Sequence, residues 1–136
     1  MNQTVFSRII NGELPCAKVY EDGHVFAFMD AGQVNPGHVL VVSKKPFETL
    51  LDADEETAAA LMRAARKIAL AVQDAFGPEG ITILQANRPQ GWQTVPHLHL
   101  HVLPRHAGDG VGLVWPRKEP GLEQLQTLAA KIKVTD

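Results

Sequence analysis

One cysteine, no long apolar run and no excess of basic charge set the first limits on this 136-residue chain. With Cys16 alone, an intramolecular disulfide is impossible and thiolate-rich metal sites are excluded; an unpaired thiol suits a reducing compartment. Runs such as Val39-Leu40-Val41-Val42 and Ala58-Ala59-Ala60-Leu61-Met62 fall far short of the ~18 apolar residues of a membrane span, so no membrane partner is expected. Residues Met1 to Ile10 lack a basic stretch followed by an apolar one, so no signal peptide is expected and the cytoplasm is the expected address. Fifteen acidic residues against 13 basic leave a net charge of −2, without a positive field to gather nucleic acid. A phosphate-bearing ligand must then be held by local donors. Repeats, low-complexity tracts and dividing linkers are also lacking. What remains is 45% hydrophobic and 21% charged, and it reads as a single domain over residues 1–136.

Along that domain, residues 5–10 read as a short helix ended by the turn signal Asn11-Gly12. Strand-like runs follow at Ala17–Tyr20, Val25–Met29 and His38–Ser43. Glu21-Asp22-Gly23 makes the first hairpin turn, and Asn35-Pro36-Gly37 breaks the chain before the third run. A long helix starts near Asp52 or Asp54, either of which can cap it, and stops at Gly77-Pro78. Leu61, Ala65, Ile68, Val72 and Phe76 give it one apolar face. Two more strands, Ile81–Ala86 and His97–Leu103, flank a polar loop, and a helix carrying Leu122, Leu125, Leu128 and Ile132 closes the chain. This order predicts an α+β fold: an antiparallel sheet with helices packed against one face.

The informative segment is His97-Leu98-His99-Leu100-His101-Val102-Leu103. Side chains alternate faces along a strand, so the three histidines share one face while Leu98, Leu100 and Val102 share the core face. The histidine face is then solvent or a cleft. A polar strand that happens to carry histidine is one explanation. A metal site is another, since imidazoles spaced i, i+2 can chelate, although no carboxylate or thiolate cluster stands nearby in sequence. Chemistry at phosphorus is the third: neutral imidazole is nucleophilic near pH 7, and its neighbours can hold phosphate oxygens or supply protons. Gln93 and Thr94, the loop Asn87-Arg88-Pro89-Gln90-Gly91-Trp92 and His38 add donors that favour this third reading.

The same residues resemble the histidine-triad (HIT) superfamily of nucleotide hydrolases and transferases, whose signature alternates three histidines with hydrophobic residues. The likeness runs over roughly residues 5–106, including Phe6 to Pro15, Val19 to Asp22, Phe26 to Asp30 and Pro36 to Lys44. It implies an antiparallel sheet of about five strands, a long helix and a homodimer. It also implies a covalent nucleotidyl intermediate on His99. By position, Asp30 matches the residue that takes ribose hydroxyls, Trp92-Gln93-Thr94-Val95 the phosphate loop, and His101 a phosphate-binding histidine. His38 and His97 complete the imidazole cluster, and Asn87 matches a polar residue near the phosphates.

The implied activity is hydrolysis or transfer at the α-phosphorus of a nucleoside phosphoanhydride or phosphoramidate, such as a dinucleoside polyphosphate or adenosine phosphoramidate. Leu103-Pro104-Arg105 and Ala107-Gly108-Asp109 lean toward the dinucleoside-polyphosphate side. The alternative is a nucleotide-binding regulatory module with little turnover. No cofactor is required; a divalent cation enters only as an aid to binding a polyphosphate substrate. Two departures stand out. The loop from Asn87 to His97 is one residue shorter than usual, with Trp92 where glycine is common. Thr4 and Ser7 occupy the places of the Cys-x-x-Cys that binds structural zinc in some members.

Overall fold

The computed structural model describes residues 3–135. Its elements are α1 (Val5–Ile10), β1 (Lys18–Glu21), β2 (Val25–Met29), β3 (Val39–Ser43), α2 (Glu55–Phe76), β4 (Gly80–Gln85), β5 (His99–Arg105) and α3 (Leu122–Ala130), with one short 3-10 turn at Pro89–Gly91. The five strands form one antiparallel sheet in the order β1-β2-β3-β5-β4. The α+β expectation therefore stands, with element ends shifted by one or two residues.

The largest shift is instructive. The expected strand from His97 begins instead at His99. Leu98 N–H donates to the Phe47 carbonyl and Ser43 N–H to the Leu98 carbonyl, so this stretch is tied to the loop after β3. At its other end β5 runs on to Arg105, through Pro104. Proline is tolerated there because the β3 ladder has already ended at Val102, leaving β5 with one neighbouring strand.

α2 is capped by Asp54, whose carboxylate accepts from Thr57 N–H, and Glu55 and Glu56 in its first turn complement the helix dipole. Asp52, the other capping candidate, holds the preceding turn by accepting from the Thr49 N–H and hydroxyl. Gly77 ends the helix in a left-handed conformation, φ 59°. Leu61, Ala64, Ala65, Ile68 and Val72 pack on Val25, Ala27, Val39, Val41, Leu98, Leu100 and Val102. Each buried branched side chain in this layer is worth about 1.5–3 kcal/mol over exposure.

The helices do not all lie on that face. α1 crosses the opposite face, where Phe6 packs with Phe26, Phe28, Leu40 and Val42. α3 buries none of its residues, and Leu122, Leu125, Leu128 and Ile132 are all exposed, as are Val114 and Trp115 in the segment before it. The apolar stripe of this helix, expected to pack against the sheet, is thus uncovered in the single chain.

Candidate active site

Four histidines gather beneath α1. In strict alternation, His99 and His101 lie on the β5 face opposite Leu100 and Val102, and His97 stands just before them. The face expected to be solvent or an open cleft is more enclosed than that: His97 and His99 are 2% and 5% exposed. Phe6 provides the cover, its ring edge-on to His99 at 4.9 Å and to His97 at 6.1 Å. α1 is held there by its first residues. Thr4 and Ser7 cap it reciprocally, and the Thr4 hydroxyl donates to His97 Nδ1 at 3.1 Å. His97 Nε2–H in turn donates to the Ser43 carbonyl at 2.7 Å. Both ring nitrogens of His97 are therefore committed, and a chelate of all three triad histidines cannot form without breaking them.

The other protons follow from the partners. His99 Nδ1 lies 2.6 Å from the His97 carbonyl, which can only accept, so Nδ1 carries the hydrogen and Nε2 keeps its lone pair. The orienting carbonyl belongs to the same chain segment, two residues back, rather than to an adjacent strand. No buried side-chain polar atom among the described residues lacks a partner, so Nε2, which has none, is not sealed from solvent. His38 Nε2 faces both His101 Nδ1 at 2.9 Å and Asp30 Oδ2 at 3.4 Å. Val34 N–H donates to His38 Nδ1, so the His38 proton sits on Nε2 and is donated to His101 Nδ1, with Asp30 Oδ2 beside it at ion-pair distance. His101 then accepts at Nδ1 and holds its own proton on Nε2, as a donor toward the cleft. Ligand atoms of Asp30, His38 and His101 lie within 4.8 Å of one another, but His38 Nε2 carries a proton donated to His101, so the three do not form an open chelate.

Burial keeps the imidazoles uncharged. Desolvation is the main cause in all four, lowering the pKa of His38, His97 and His99 from the ordinary 6.5. For His101, desolvation and the neighbouring His99 and His38 together bring it down to about 4. At neutral pH the site thus offers one free imidazole lone pair and one neutral N–H donor side by side, ring centroids 5.1 Å apart.

Two clefts flank α1. One, of about 330 Å³, is walled by Phe6, Ile9, Ala17, Phe28 and Leu40, with Asp30 on its lining. The other, of about 430 Å³, lies between Thr4, Val5, Glu48, Thr94 and Val95. An apolar slot with a carboxylate on one side of α1 and a more polar cleft on the other suits a ligand that is flat and apolar at one end and anionic at the other.

A family model described as HIT domain matches residues 11–108. The chain belongs to the HIT family. It is 41% identical over 131 residues to the protein named "Protein hit" of Bacillus subtilis, covering 94% of this chain and 90% of that one. It is 30% identical over 129 residues, 94% of each chain, to the adenosine 5′-monophosphoramidase hnt1 of Schizosaccharomyces pombe. The solved structure of a HIT family protein from Bacillus anthracis superposes with a TM-score of 0.89 at 39% identity, covering 93% of this chain and 92% of that one.

In this HIT domain the loop residues divide. Thr94 is exposed and, with Val95, lines the larger cleft; their backbone N–H groups have no partner among the described residues. Gln93 and Asn87 were expected as donors to phosphate, but their amides are engaged within the protein. Gln93 Oε1 accepts from Arg88 N–H and its Nε2 donates to the Glu48 carbonyl, burying the side chain. Asn87 accepts from Leu50 N–H and exchanges hydrogen bonds with Gln85. Both therefore brace the loop. Trp92 is 60% exposed and sits at φ 78°, and Arg88 at φ 65°; among the described residues they are the two non-glycine positions with positive φ. The residues that sequence reasoning missed are Phe6 and Thr4. A capping box, Thr4 with a hydroxyl three residues on, was the available signal for Thr4; Phe6 looked like any apolar helix residue.

Proposed function

We propose that this HIT protein hydrolyses or transfers nucleotides at the α-phosphorus through a covalent intermediate on His99. One observation carries the reading: the Nδ1–H of His99 is tied to the His97 carbonyl, which leaves Nε2 as a neutral nucleophile with a free lone pair not sealed from solvent. In the first step the Nε2 lone pair forms a bond to phosphorus while the bond to the leaving oxygen or nitrogen breaks, and the leaving group takes up a proton. In the second, water attacks phosphorus and gives up a proton, and the N–P bond returns its electron pair to His99. Asp30 takes the ribose hydroxyls, the apolar cleft takes the base, and His101 Nε2–H with the Thr94–Val95 backbone takes phosphate oxygens. The leaving group takes its proton from solvent relayed through the exposed Thr94 hydroxyl, or from a neighbouring imidazole N–H that solvent reprotonates. Nothing in these steps calls for a metal, since the nucleophile is already deprotonated; a divalent cation serves only to bind a polyphosphate chain. The named activity of hnt1 supports a phosphoramidate as one substrate class.

The test is release of nucleoside monophosphate from adenosine phosphoramidate and from a dinucleoside polyphosphate, in chelator, with intact-mass mapping of the trapped adduct. Turnover with an adduct on His99 is expected. Tight nucleotide binding without release would favour a regulatory module instead. The exposed apolar stripe of α3 and Val114 and Trp115 before it support a homodimer, with the second copy as the cover, and sedimentation at micromolar concentration should find it.

A further inference from the structure

His38 stands apart from the other imidazoles in a way the proposed mechanism does not use. It is 3% exposed, at the entrance to β3, and its Nε2 lies between two groups with different duties. On one side is Asp30 Oδ2 at 3.4 Å, and on the other His101 Nδ1 at 2.9 Å. Its other nitrogen, Nδ1, faces Val34 N–H at 3.5 Å, a backbone donor that favours the Nε2–H form. Asp30 is itself anchored: its Oδ1 accepts from Gly32 N–H at 2.8 Å, so the carboxylate cannot swing away from His38 freely. The Nε2–H of His38 is thus hydrogen-bonded to the imidazole assigned to the phosphate, while the carboxylate assigned to the ribose acts on it as a charge 3.4 Å away.

We propose that His38 is a positioning residue that couples ribose recognition at Asp30 to the phosphate-facing N–H of His101. The proposal rests on the nucleotide reading above and adds a connection within it. In the free protein the negative charge of Asp30, 3.4 Å from His38 Nε2, attracts the Nε2–H and opposes its full donation to His101. Ribose hydroxyls donating to Asp30 satisfy its lone pairs and weaken that pull, so His38 donates more fully to His101 Nδ1. An imidazole that accepts more strongly at one nitrogen becomes a stronger donor at the other, because hydrogen bonds in a chain polarise one another. The Nε2–H of His101 therefore grips the phosphate best when a ribose is in place. By reciprocity, a phosphate on His101 tightens ribose binding by the same factor. A substrate without ribose hydroxyls then loses turnover as well as affinity.

Adenosine, which has ribose but no phosphate, separates this relay from direct contact. In protein labelled at the imidazole nitrogens and the backbone amides, adenosine should move the Gly32 amide signal, which reports Asp30, and also the His101 Nδ1 signal. In His38→Ala the Gly32 signal should still move on binding while His101 stays put; His38→Gln, which can offer an amide N–H in place of Nε2–H, should restore part of the response. Kinetically, removing the ribose hydroxyls should lower kcat about tenfold in the wild type but change only KM in His38→Ala. If Gly32 responds and His101 does not, or if His101 responds equally without His38, the relay is wrong while the ribose assignment stands. If Gly32 itself is silent to adenosine, the ribose assignment fails and the relay with it.

Discussion

The two faces of β5 differ in what covers them. Leu100 and Val102 lie under the 22-residue helix α2 in a continuous apolar layer, whereas His99 lies under the six-residue α1, reached by the single ring of Phe6. The thick cover gives the domain its stability by removing apolar area from water. The thin cover is a compromise: Phe6 helps bury His97 and His99, whose desolvation favours the neutral form, yet His99 Nε2 is not sealed from solvent. Adjacent residues of one strand should therefore fail in opposite ways when truncated.

The sharpest way to break that contrast is His99→Gly. Turnover should fall by at least about 10³-fold while nucleotide affinity stays within about tenfold, because the nucleophile is lost and the binding groups remain. Single-turnover kinetics and equilibrium binding measure the two effects separately. Substantial residual activity would mean that this face is not the catalytic one. The neighbouring Leu100→Ala should do the reverse. Removing a 6%-exposed leucine from the α2 interface should cost about 2–4 kcal/mol in urea unfolding, with kcat per folded molecule within a few-fold of wild type. A variant that kept its stability but lost activity would show that the two faces are not independent.

Acid should also separate the faces. Burial holds His101 at about 4 against an ordinary 6.5, so the unfolded chain binds its proton first as the pH drops. Stability from this face is therefore complete above about pH 6.5 and is lost as the pH falls from there toward 4, where the loss levels off. At about 1.4 kcal/mol per unit, His101 accounts for at most on the order of 3 kcal/mol, less to the extent that its half-buried ring is screened by water. His38, His97 and His99 shift in the same direction and add to the slope. Urea titrations between pH 4 and 7 should show this slope in the wild type and in Leu100→Ala, and a flatter one in His101→Asn. An unchanged slope in His101→Asn would place the titration elsewhere.

How much of this was readable in advance also differs between the faces. The α2 face was legible because periodicity reports it directly: Leu98, Leu100 and Val102 alternate, and Leu61, Ala65, Ile68 and Val72 recur at helical spacing. Of the site, the alternation of His99 and His101 was legible from the strand, and the family match agrees with the histidine-triad resemblance. The proton positions on His97 and His101 were not, because they depend on atoms distant in sequence: Ser43 fixes His97, and His38 fixes His101. The amides of Gln93 and Asn87 looked free for the same reason. Their partners, Glu48 and Leu50, lie about 40 residues away in the loop after β3. α1 was legible as a helix, but nothing in a six-residue pattern told which face of the sheet it would cover.

The smallest expected effect concerns Trp92, at the edge of the thin-covered face. Its φ of 78° is a conformation that an L-residue adopts at a cost of about 1–2 kcal/mol and that glycine adopts freely. Trp92→Gly relieves that cost but returns about 0.4–1 kcal/mol through the greater freedom of the unfolded chain. The net stability change should be between zero and about 1.5 kcal/mol, and favourable. The 60%-exposed indole loses little burial to offset this. A strained, exposed aromatic ring that adds nothing to folding points to a ligand, so the variant should also raise KM for a dinucleoside polyphosphate, whose second base can stack on the ring. KM for adenosine phosphoramidate, whose leaving group has no base, should hardly change. Thermal melts and the two KM values settle the matter together. Destabilisation by more than about 1 kcal/mol would make Trp92 a packing anchor of the loop, and equal KM shifts for both substrates would remove its link to the leaving group.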